Sequence, residues 1–378
     1  MKARCASTDL REALRVVRRA AGKSAAMPIL ENVLLEADRG VLVVSATDLE
    51  VGVQALVEAA TPEEGATTAP ASLLSEFVAR LPDEDLELSA ADSTLTVRCG
   101  KTTAEFCTLP AEDFPRSFPK LEEADLVASA IPARVLAEAV ERTAFACSKS
   151  ELRPALTGIL IQSAHTDGGA MLCFVATDGT RMAVYRSTVR TERPVDLIVP
   201  RRAMQELGRL ADGAPDELVT MGVYEGAAVF WVGDYTVRAA LIAATYPNYE
   251  EVIPHTFAQR VTVEVGPFVE ALRRVAVTAR DPNRTVVLRA GDGFLFLSSS
   301  TADTGSAQEE IRAETTSPET MEVAFNADFL VDGLRAVGTE WAVLDLVAPE
   351  KPAAVRPIRG GQPADDYVYV LAPVRVRR

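Results

Sequence analysis

The side chains best suited to chemistry stand in two short acidic turns, each of which follows an apolar run. The first turn holds Asp48 and Glu50, and the second holds Asp178 and Gly179. Their carboxylates could bind a divalent cation or act as general acid and base, since hard cations prefer carboxylate oxygens. An Asp in a turn more often accepts hydrogen bonds from its own backbone, and a Gly there can adopt positive φ. We therefore favour structural turns and keep a metal-dependent hydrolase using Asp48 and Asp178 as the alternative.

Other signatures of catalysis are absent from the sequence. It has no P-loop, no GxGxxG after a strand, no GxSxG and no HExxH. His165 and His255 are the only histidines and stand in predicted loops, which leaves little for a histidine-based metal site. No cysteine belongs to a CxxC pair, so we expect buried thiols in a reducing compartment rather than disulfides or a zinc site. The cysteines are Cys5, Cys99, Cys107, Cys147 and Cys173.

The elements that position these turns recur along the chain. An apolar strand ending in a polar turn is found before Asp48, before Asp178 and, in a degraded form, before Asp303. The copies are about 120 to 130 residues apart, which is the size of a domain. We therefore predict three similar domains, at residues 1–126, 127–252 and 253–378.

Each copy is predicted to contain two helices and about eight strands. Leu10, Leu14 and Val17 recur at helical spacing after a Ser-Thr-Asp cap, and a second helix starts after Pro70. The corresponding helices are predicted at residues 132–141, 200–210, 267–275 and 326–334. Long runs of strands without strict alternation with helices indicate an α+β fold with largely antiparallel sheets. A further strand is predicted at Pro28-Ile29-Leu30.

Charge and hydropathy exclude several classes of protein. A net charge of −15 argues against tight nonspecific adhesion to DNA, although Arg11, Arg15, Arg18, Arg19 and Lys23 form one basic stripe. No apolar run approaches the roughly 20 residues that a membrane-spanning helix needs. The N-terminus lacks the apolar core of a signal peptide, so we expect a cytoplasmic protein.

Five stretches, taken together and in order, resemble the bacterial sliding clamps, the beta subunits of DNA polymerase III. The resemblance covers essentially the whole chain, and it is carried by residues 47–50, 176–183, 199–201, 246–254 and 369–375. It implies three tandem copies of the DNA-clamp fold in a head-to-tail homodimeric ring. The helices of that ring would face duplex DNA. It also implies a non-catalytic processivity subunit of the polymerase III holoenzyme that needs no cofactor or metal.

The resemblance further implies sites and partners. Expected partners are double-stranded DNA bound without sequence preference, the DNA polymerase III alpha subunit, the clamp loader, and other polymerases and repair proteins that carry clamp-binding motifs. The implied partner-peptide groove comprises Leu156, Thr177, Gly179, Arg181, Met182, Pro247, Val252, Val370, Ala372, Pro373 and Val374. The implied DNA contacts are Arg11, Arg15, Arg18, Lys23, Arg80, Lys149, Arg153, Arg201, Arg202, Arg209, Arg273, Arg274 and Arg280. The implied dimer contact involves Phe106, Leu272 and Val277.

The sequence departs from the family pattern in and around the groove. Thr180 stands where the family often has His, and Ala372 replaces a larger apolar residue. Pro154-Ala155 and Glu250-Glu251 stand where aromatic and basic residues are common. These changes predict a shallower groove with different motif preferences, as in a divergent or second clamp. A dimeric scaffold unrelated to DNA is a further alternative.

Overall fold

The same order of elements occurs three times along the chain. The structure is a computed structural model that describes residues 1–22, 26–116, 118–166, 169–191, 193–291, 293–303 and 305–375. Repeat 1 contains β1 (Lys2–Ala6), α1 (Ser7–Val17), β2 (Asn32–Asp38), β3 (Val41–Thr47), β4 (Val51–Glu58), β5 (Ala60–Glu63), β6 (Gly65–Pro70), α2 (Ala71–Val78), β7 (Asp85–Ala91), β8 (Thr94–Cys99) and β9 (Thr102–Cys107).

Repeats 2 and 3 have the same plan. Repeat 2 contains β10 (Asp125–Pro132), α3 (Ala133–Thr143), β11 (Gly158–Thr166), β12 (Gly169–Thr177), β13 (Arg181–Arg190), β14 (Asp196–Pro200), α4 (Arg201–Gly213), β15 (Leu218–Tyr224), β16 (Ala227–Val232) and β17 (Tyr235–Ala240). Repeat 3 contains β18 (Gln259–Glu264), α5 (Val265–Val275), β19 (Thr285–Gly291), β20 (Phe294–Thr301), β21 (Gly305–Arg312), β22 (Glu314–Thr315), β23 (Met321–Asn326), α6 (Ala327–Ala336), β24 (Trp341–Leu346), β25 (Ala353–Arg359), β26 (Gln362–Pro363) and β27 (Tyr367–Leu371).

Within the described residues each repeat has two α-helices and eight equivalent strands, and β5, β22 and β26 are short additions. The eight strands form two antiparallel groups. One group is β1-β7-β8-β9 in repeat 1, and the other is β6-β2-β3-β4. The predictions of an α+β fold and of threefold repetition are therefore confirmed.

Neighbouring repeats share sheets through one kind of strand contact. β17 of repeat 2 pairs with β4 of repeat 1 and so completes an eight-stranded sheet. β27 of repeat 3 pairs in the same way with β13 of repeat 2, in a ten-stranded sheet. One edge of each kind used in these contacts remains without a partner in the described chain: β9 ends a five-stranded sheet, and β21 ends a four-stranded sheet.

The chain forms two compact units whose boundary falls within repeat 2. Unit 1 comprises residues 1–137 and 202–241, and it contains the five- and eight-stranded sheets. Unit 2 comprises residues 138–201 and 242–378, and its described part contains the ten- and four-stranded sheets. The proposed boundaries of three domains therefore remain predictions from repetition. No described helix is both long and apolar enough to cross a membrane.

The helices bury one face against their sheets. In α1, the residues Leu10, Leu14 and Val17 are fully buried, while Arg15 is exposed on the opposite side. This arrangement follows from apolar residues spaced three or four positions apart, which lie on one side of a helix. The predicted first helix is therefore confirmed.

Three local predictions are wrong. Pro28–Glu31 is a 3₁₀ helix rather than a strand, because Pro28 occupies its first turn and the Leu30 amide donates to Met27. His165 belongs to β11 rather than to a loop. Cys107 is exposed on β9, whereas the other four cysteines are buried. Burial raises the pKa of the Cys5 thiol to about 12, and nearby Asp9 and Asp85 add to this effect.

Candidate functional site

The two acidic turns are held together by their Asp side chains. Asp178 Oδ1 accepts hydrogen bonds from the amides of Thr180 and Arg181 at 2.9 and 3.0 Å. Asp48 Oδ1 likewise accepts from the amides of Glu50 and Val51 at 3.1 and 2.8 Å. Gly179 has φ of 91°. The interpretation of both turns as structural is confirmed.

An apolar cluster lies on one face of the ten-stranded sheet, next to the Asp178 turn. Met182 and Val370 are Cα partners across β13 and β27, and their exposed fractions are 4% and 2%. We call this set the apolar cluster; its buried members are Leu160, Cys173, Val175, Met182, Val184, Ile198, Tyr249, Ile253, Ala354, Val368 and Val370. Apolar floors of this kind are typical of sites that accept a partner's apolar side chain.

The segment that links repeats 2 and 3 borders this cluster. Tyr249 donates from its hydroxyl to Gln162 at 3.2 Å, and Tyr246 donates to the Val175 carbonyl at 3.4 Å. Pro247 is exposed, and Val252 is 49% exposed. An open depression of about 470 Å³ lies beside this segment. The segment thus supplies both a buried part of the floor and an apolar rim.

The structure brings most of the predicted groove residues into one region. Thr177 pairs with Met182 across β12 and β13, and the Ala372 amide donates to the Thr180 carbonyl at 2.9 Å. Leu156 is buried, while Pro373 and Val374 are half-buried. Gly179 lies in the exposed part of the turn.

Arg181 requires a correction. Its side chain is only 9% exposed, and it donates to Asp178 at 3.0 Å, to Asp332 at 2.7 Å and to the Phe145 carbonyl at 2.9 Å. The guanidinium also lies 4.0 Å from the centroid of the Phe329 ring. Because these contacts occupy its donors, Arg181 holds the fold together and does not line an open groove.

On the equivalent face in unit 1 the corresponding positions are small or polar, and aromatic rings cover it: Phe118 lies against Gly52, and Phe114 packs with Leu34. Gly52 corresponds to Met182, because Thr47 pairs with Gly52 as Thr177 pairs with Met182. Arg238 corresponds to Val370, because it pairs with Gly52. Extending the same registers matches Val175, Val184 and Ile198 with Ser45, Gln54 and Thr68. At these five positions the scaffold therefore carries apolar residues in unit 2 and glycine or polar residues in unit 1, which indicates a specialised site in unit 2.

Most of the predicted DNA-contacting arginines are paired with carboxylates. Arg11 contacts Asp83 at 2.8 Å, and Arg274 contacts Glu309 at 2.6 Å. Others in ion pairs are Arg15, Arg80, Arg202, Arg209 and Arg273. Lys23 lies outside the described residues. Among the described predicted contacts, those without an ion pair to another described residue are Arg18, Lys149, Arg153, Arg201 and Arg280.

The three predicted dimer residues differ in accessibility. Phe106 is half-buried on the unpaired strand β9, with its ring centroid 5.6 Å from that of Phe77. Val277 is 60% exposed. Leu272 is fully buried, because α5 turns this residue toward its own sheet, so Leu272 is not available at the surface.

Tyr249 and Ile253 are floor residues that the predicted site omitted. Both are buried in the apolar cluster, at 7% and 6% exposure. The signal that could have identified them is the aromatic-proline spacing of Tyr246-Pro247-Asn248-Tyr249, followed two residues later by the apolar pair Val252-Ile253. A segment with two aromatic rings between two strands is expected to bury at least one of them.

Three family models match consecutive parts of the chain. They describe the DNA polymerase III beta subunit: its N-terminal domain at residues 1–119, its central domain at 130–248 and its C-terminal domain at 250–375. The beta sliding clamp of Synechococcus elongatus is 32% identical over 386 residues, and that of Streptomyces coelicolor is 30% identical over 384 residues. In both comparisons the match covers 100% of each chain.

Solved structures give the same result. The sliding clamp of Pseudomonas aeruginosa bound to griselimycin is similar with a TM-score of 0.91 and 28% identity. The DNA polymerase III beta subunit of Thermotoga maritima is similar with a TM-score of 0.90 and 27% identity. Each match covers 100% of both chains.

Proposed function

The chain belongs to the DNA polymerase III beta subunit family of sliding clamps, and we propose that two copies close head to tail around duplex DNA. In this role it tethers the replicative polymerase and is the processivity factor. It works without catalysing a reaction itself, in the cytoplasm where the chromosome is copied.

The main support for the proposed dimer is a strand contact that occurs twice within the chain. The last strand of one repeat pairs with the fourth strand of the preceding repeat, as β17 pairs with β4 and β27 pairs with β13. β9 is the last strand of repeat 1, and β21 is the fourth strand of repeat 3. Each lacks a partner in the described chain. Since unpaired edges tend to be paired or covered, β9 of one copy is the natural partner for β21 of another.

Internal repetition also supplies a register for this contact. Asn32 pairs with Pro70 as Thr285 pairs with Asn326, each pair directly before a second helix. This alignment matches Gly52 with Ser306, because they pair with the equivalent residues Thr47 and Ser300.

The other strand is aligned in the same way. Thr102 matches Tyr235, because they pair with the equivalent residues Cys99 and Val232. The pairing of Val237 with Val53 then corresponds to Ala104 of one copy opposite Ala307 of the other. The same register places Phe106 opposite Gly305 and Lys101 opposite Glu310.

DNA is retained in this arrangement by enclosure rather than by tight binding. The net charge of −15 and the internal pairing of most candidate arginines leave few cations for phosphates. Weak, sequence-independent contacts suit a protein that slides, because tight phosphate binding would hold it in place. Arg18, Lys149, Arg153, Arg201 and Arg280 are the preferred contacts.

The apolar cluster with its rim of Pro247 and Val252 is the proposed site for partner motifs. It would accept an apolar side chain from an extended segment of the polymerase alpha subunit, the clamp loader or a repair protein. In unit 1 the rings of Phe114 and Phe118 already cover the equivalent face, which supports one such site in each subunit.

The proposed function is tested by measuring native mass and retention on DNA. We expect a native mass near twice the 40.5 kDa of the chain. After loading, the protein should stay on nicked circular DNA and leave linear DNA through its ends. Equal loss from both DNA forms would contradict enclosure, and a monomer at micromolar concentration would contradict the ring.

A further inference from the structure

Among the described residues, no segment covers the outer face of the four-stranded sheet, which is the face that carries Val287, whereas the equivalent faces of the other repeats are covered. Val287 of β19 corresponds to Leu34 of repeat 1 and to Leu160 of repeat 2. The correspondence follows from their pairing with Ser298, Ser45 and Val175. Arg289, two residues later, corresponds to Glu36 and Gln162.

In repeat 1, the segment after β9 covers this position. Leu109 donates to Thr68, and five residues later Phe114 joins Leu34 in a buried cluster. Phe114 is 3% exposed and Leu34 is 1% exposed. Two residues after Phe114, Arg116 pairs with Glu36 at 3.2 Å. An aromatic ring thus covers Leu34, and a complementary charge pairs with Glu36, the next residue on the same face of the strand.

Repeat 2 uses the same arrangement. The Ile242 amide donates to the Ile198 carbonyl at 2.9 Å, and Tyr246 and Tyr249 then pack on the cluster that contains Leu160. Gln162, which corresponds to Glu36, accepts the hydrogen bond from Tyr249. Ring and polar partner are again supplied by one extended segment.

In repeat 3 the described residues follow only the start of this path, as far as Arg375. The Val374 amide donates to the Ala324 carbonyl at 2.8 Å, as the Ile242 amide donates to the equivalent Ile198 carbonyl in repeat 2. Val287 lines two open depressions of about 500 and 590 Å³. Phe294 beside them is 36% exposed.

Arg289 is available to a ligand on this face. Its guanidinium lies 4.6 Å from the centroid of the Phe296 ring, and it forms no ion pair within the described residues. Glu322 and Glu310 are exposed in the same cross-strand row, as partners of Arg289 and Phe296 respectively. Neither of these carboxylates is paired with Arg289. Arg289 stands where repeat 1 has the acidic Glu36. Glu36 pairs with the basic Arg116, so a segment that covers Arg289 needs an acidic residue at that point instead.

We propose that this outer face binds an extended segment of another protein in which an aromatic residue is followed two positions later by an acidic residue. The ring occupies the depression over Val287, and the carboxylate pairs with Arg289. The inference rests on the internal repeats and on charge complementarity, and it holds whether or not the ring encloses DNA.

The test uses a peptide from this chain as the ligand. A fluorescent peptide of residues 109–121 carrying Arg116→Glu has the required ring and acid, and the unchanged peptide has the wrong charge. We expect the Arg116→Glu peptide to bind the full-length protein about fivefold more tightly than the unchanged peptide, in anisotropy titrations. Arg289→Glu in the protein should reverse that order, and Glu322→Gln should strengthen binding of the Arg116→Glu peptide.

Controls separate this face from other surfaces. Val287→Glu, at a half-buried surface position, should abolish binding while leaving native mass and retention on circular DNA unchanged. Phe114→Ala in the peptide should also abolish binding. Equal affinity of the two charge forms, or binding that survives Val287→Glu, would overturn the proposal. The protein could also associate beyond its dimer as its concentration rises. If Val287→Glu removed that association, the face would be assigned to a second copy of the chain, and the proposal would be overturned.

Discussion

Arg181 and Asp332 form an ion pair of 2.7 Å that connects β13 of repeat 2 to α6 of repeat 3. The same guanidinium supports the Asp178 turn and stacks on Phe329. One side chain therefore fixes the geometry between the sheet and helix beside the apolar cluster. It shapes the site without touching its occupant.

Arg181→Ala should destabilise unit 2 by about 3 kcal/mol, because the Phe145 carbonyl and the largely buried Asp178 carboxylate lose their hydrogen-bond donor. Asp332→Asn should cost less, since Asp332 is 42% exposed and water can replace its partner. Urea denaturation measures both effects. Arg190→Ala, an exposed change on the same strand, is the control; equal effects of the three variants would contradict this assignment.

Val252→Glu should weaken binding of a peptide from the polymerase alpha subunit at least about tenfold, because it places a charge on the apolar rim. Val252 is 49% exposed, so the fold should tolerate the change. Peptide titration by calorimetry gives the affinity. Leu56→Glu, at a position 46% exposed on the eight-stranded sheet of unit 1, is the matched control and should leave the affinity unchanged.

Ala104→Cys combined with Ala307→Cys should give a disulfide-linked dimer on a non-reducing gel. The bonds Leu56 N to Asp234 O and Ala240 N to Glu50 O place the equivalent pair, Val53 and Val237, at a non-hydrogen-bonded site. The Cα atoms of such pairs are about 4.5 Å apart, within the range of a disulfide.

This experiment is done with Cys107 replaced by Ser, because Cys107 is exposed on the same strand. Each single cysteine variant is a control. Ala104→Cys with Gln308→Cys, one residue out of register, should cross-link much less. Comparable yields from both double variants would show that the register is wrong.

Lys101→Glu should weaken the dimer about fivefold at low salt, because the register places Lys101 opposite Glu310 of the other copy. Glu310→Lys should restore it when combined with Lys101→Glu. Sedimentation at several salt concentrations measures the change, which should fade as salt rises. Lys351→Glu makes the same charge change in an exposed turn and should have no effect.

The protein leaves circular DNA when its ring opens transiently. The time that it stays on the circle should become shorter and less dependent on salt when Ala replaces Arg18, Lys149, Arg153, Arg201 and Arg280. Replacing the carboxylate-paired Arg15, Arg209 and Arg273 should change it less, because their charge is already balanced within the subunit. Single-molecule dwell times compare the two sets. A larger effect from the paired set would contradict the assignment.

Features governed by local chemistry could be predicted from the sequence. The Asp178 turn forms because a short carboxylate reaches amides two and three residues later, and α1 forms because its apolar residues share one face. The repeats were visible because the same local patterns recur in order. The position of Met182 in the floor likewise follows from the strand that carries it.

Features governed by distant partners could not be predicted. Arg181 belongs to the fold because of Asp332, which lies 151 residues away in sequence. Leu272 is buried rather than at a dimer contact, because an apolar helix residue can face its own sheet or a partner, and only packing decides between these. The apolar pair Ile29-Leu30 predicts a strand, whereas Pro28 before it starts a helical turn.

The unlike edges β9 and β21 have a consequence for assembly. Because the two surfaces differ, an open row of joined copies always presents one free surface of each kind at its two ends, and strand chemistry alone sets no limit on the number of subunits. A closed ring with a fixed number of subunits therefore depends on the angle between two copies at each β9–β21 contact. Substitutions that alter this angle would therefore change the subunit count or produce open filaments, even with every contact at the joint intact.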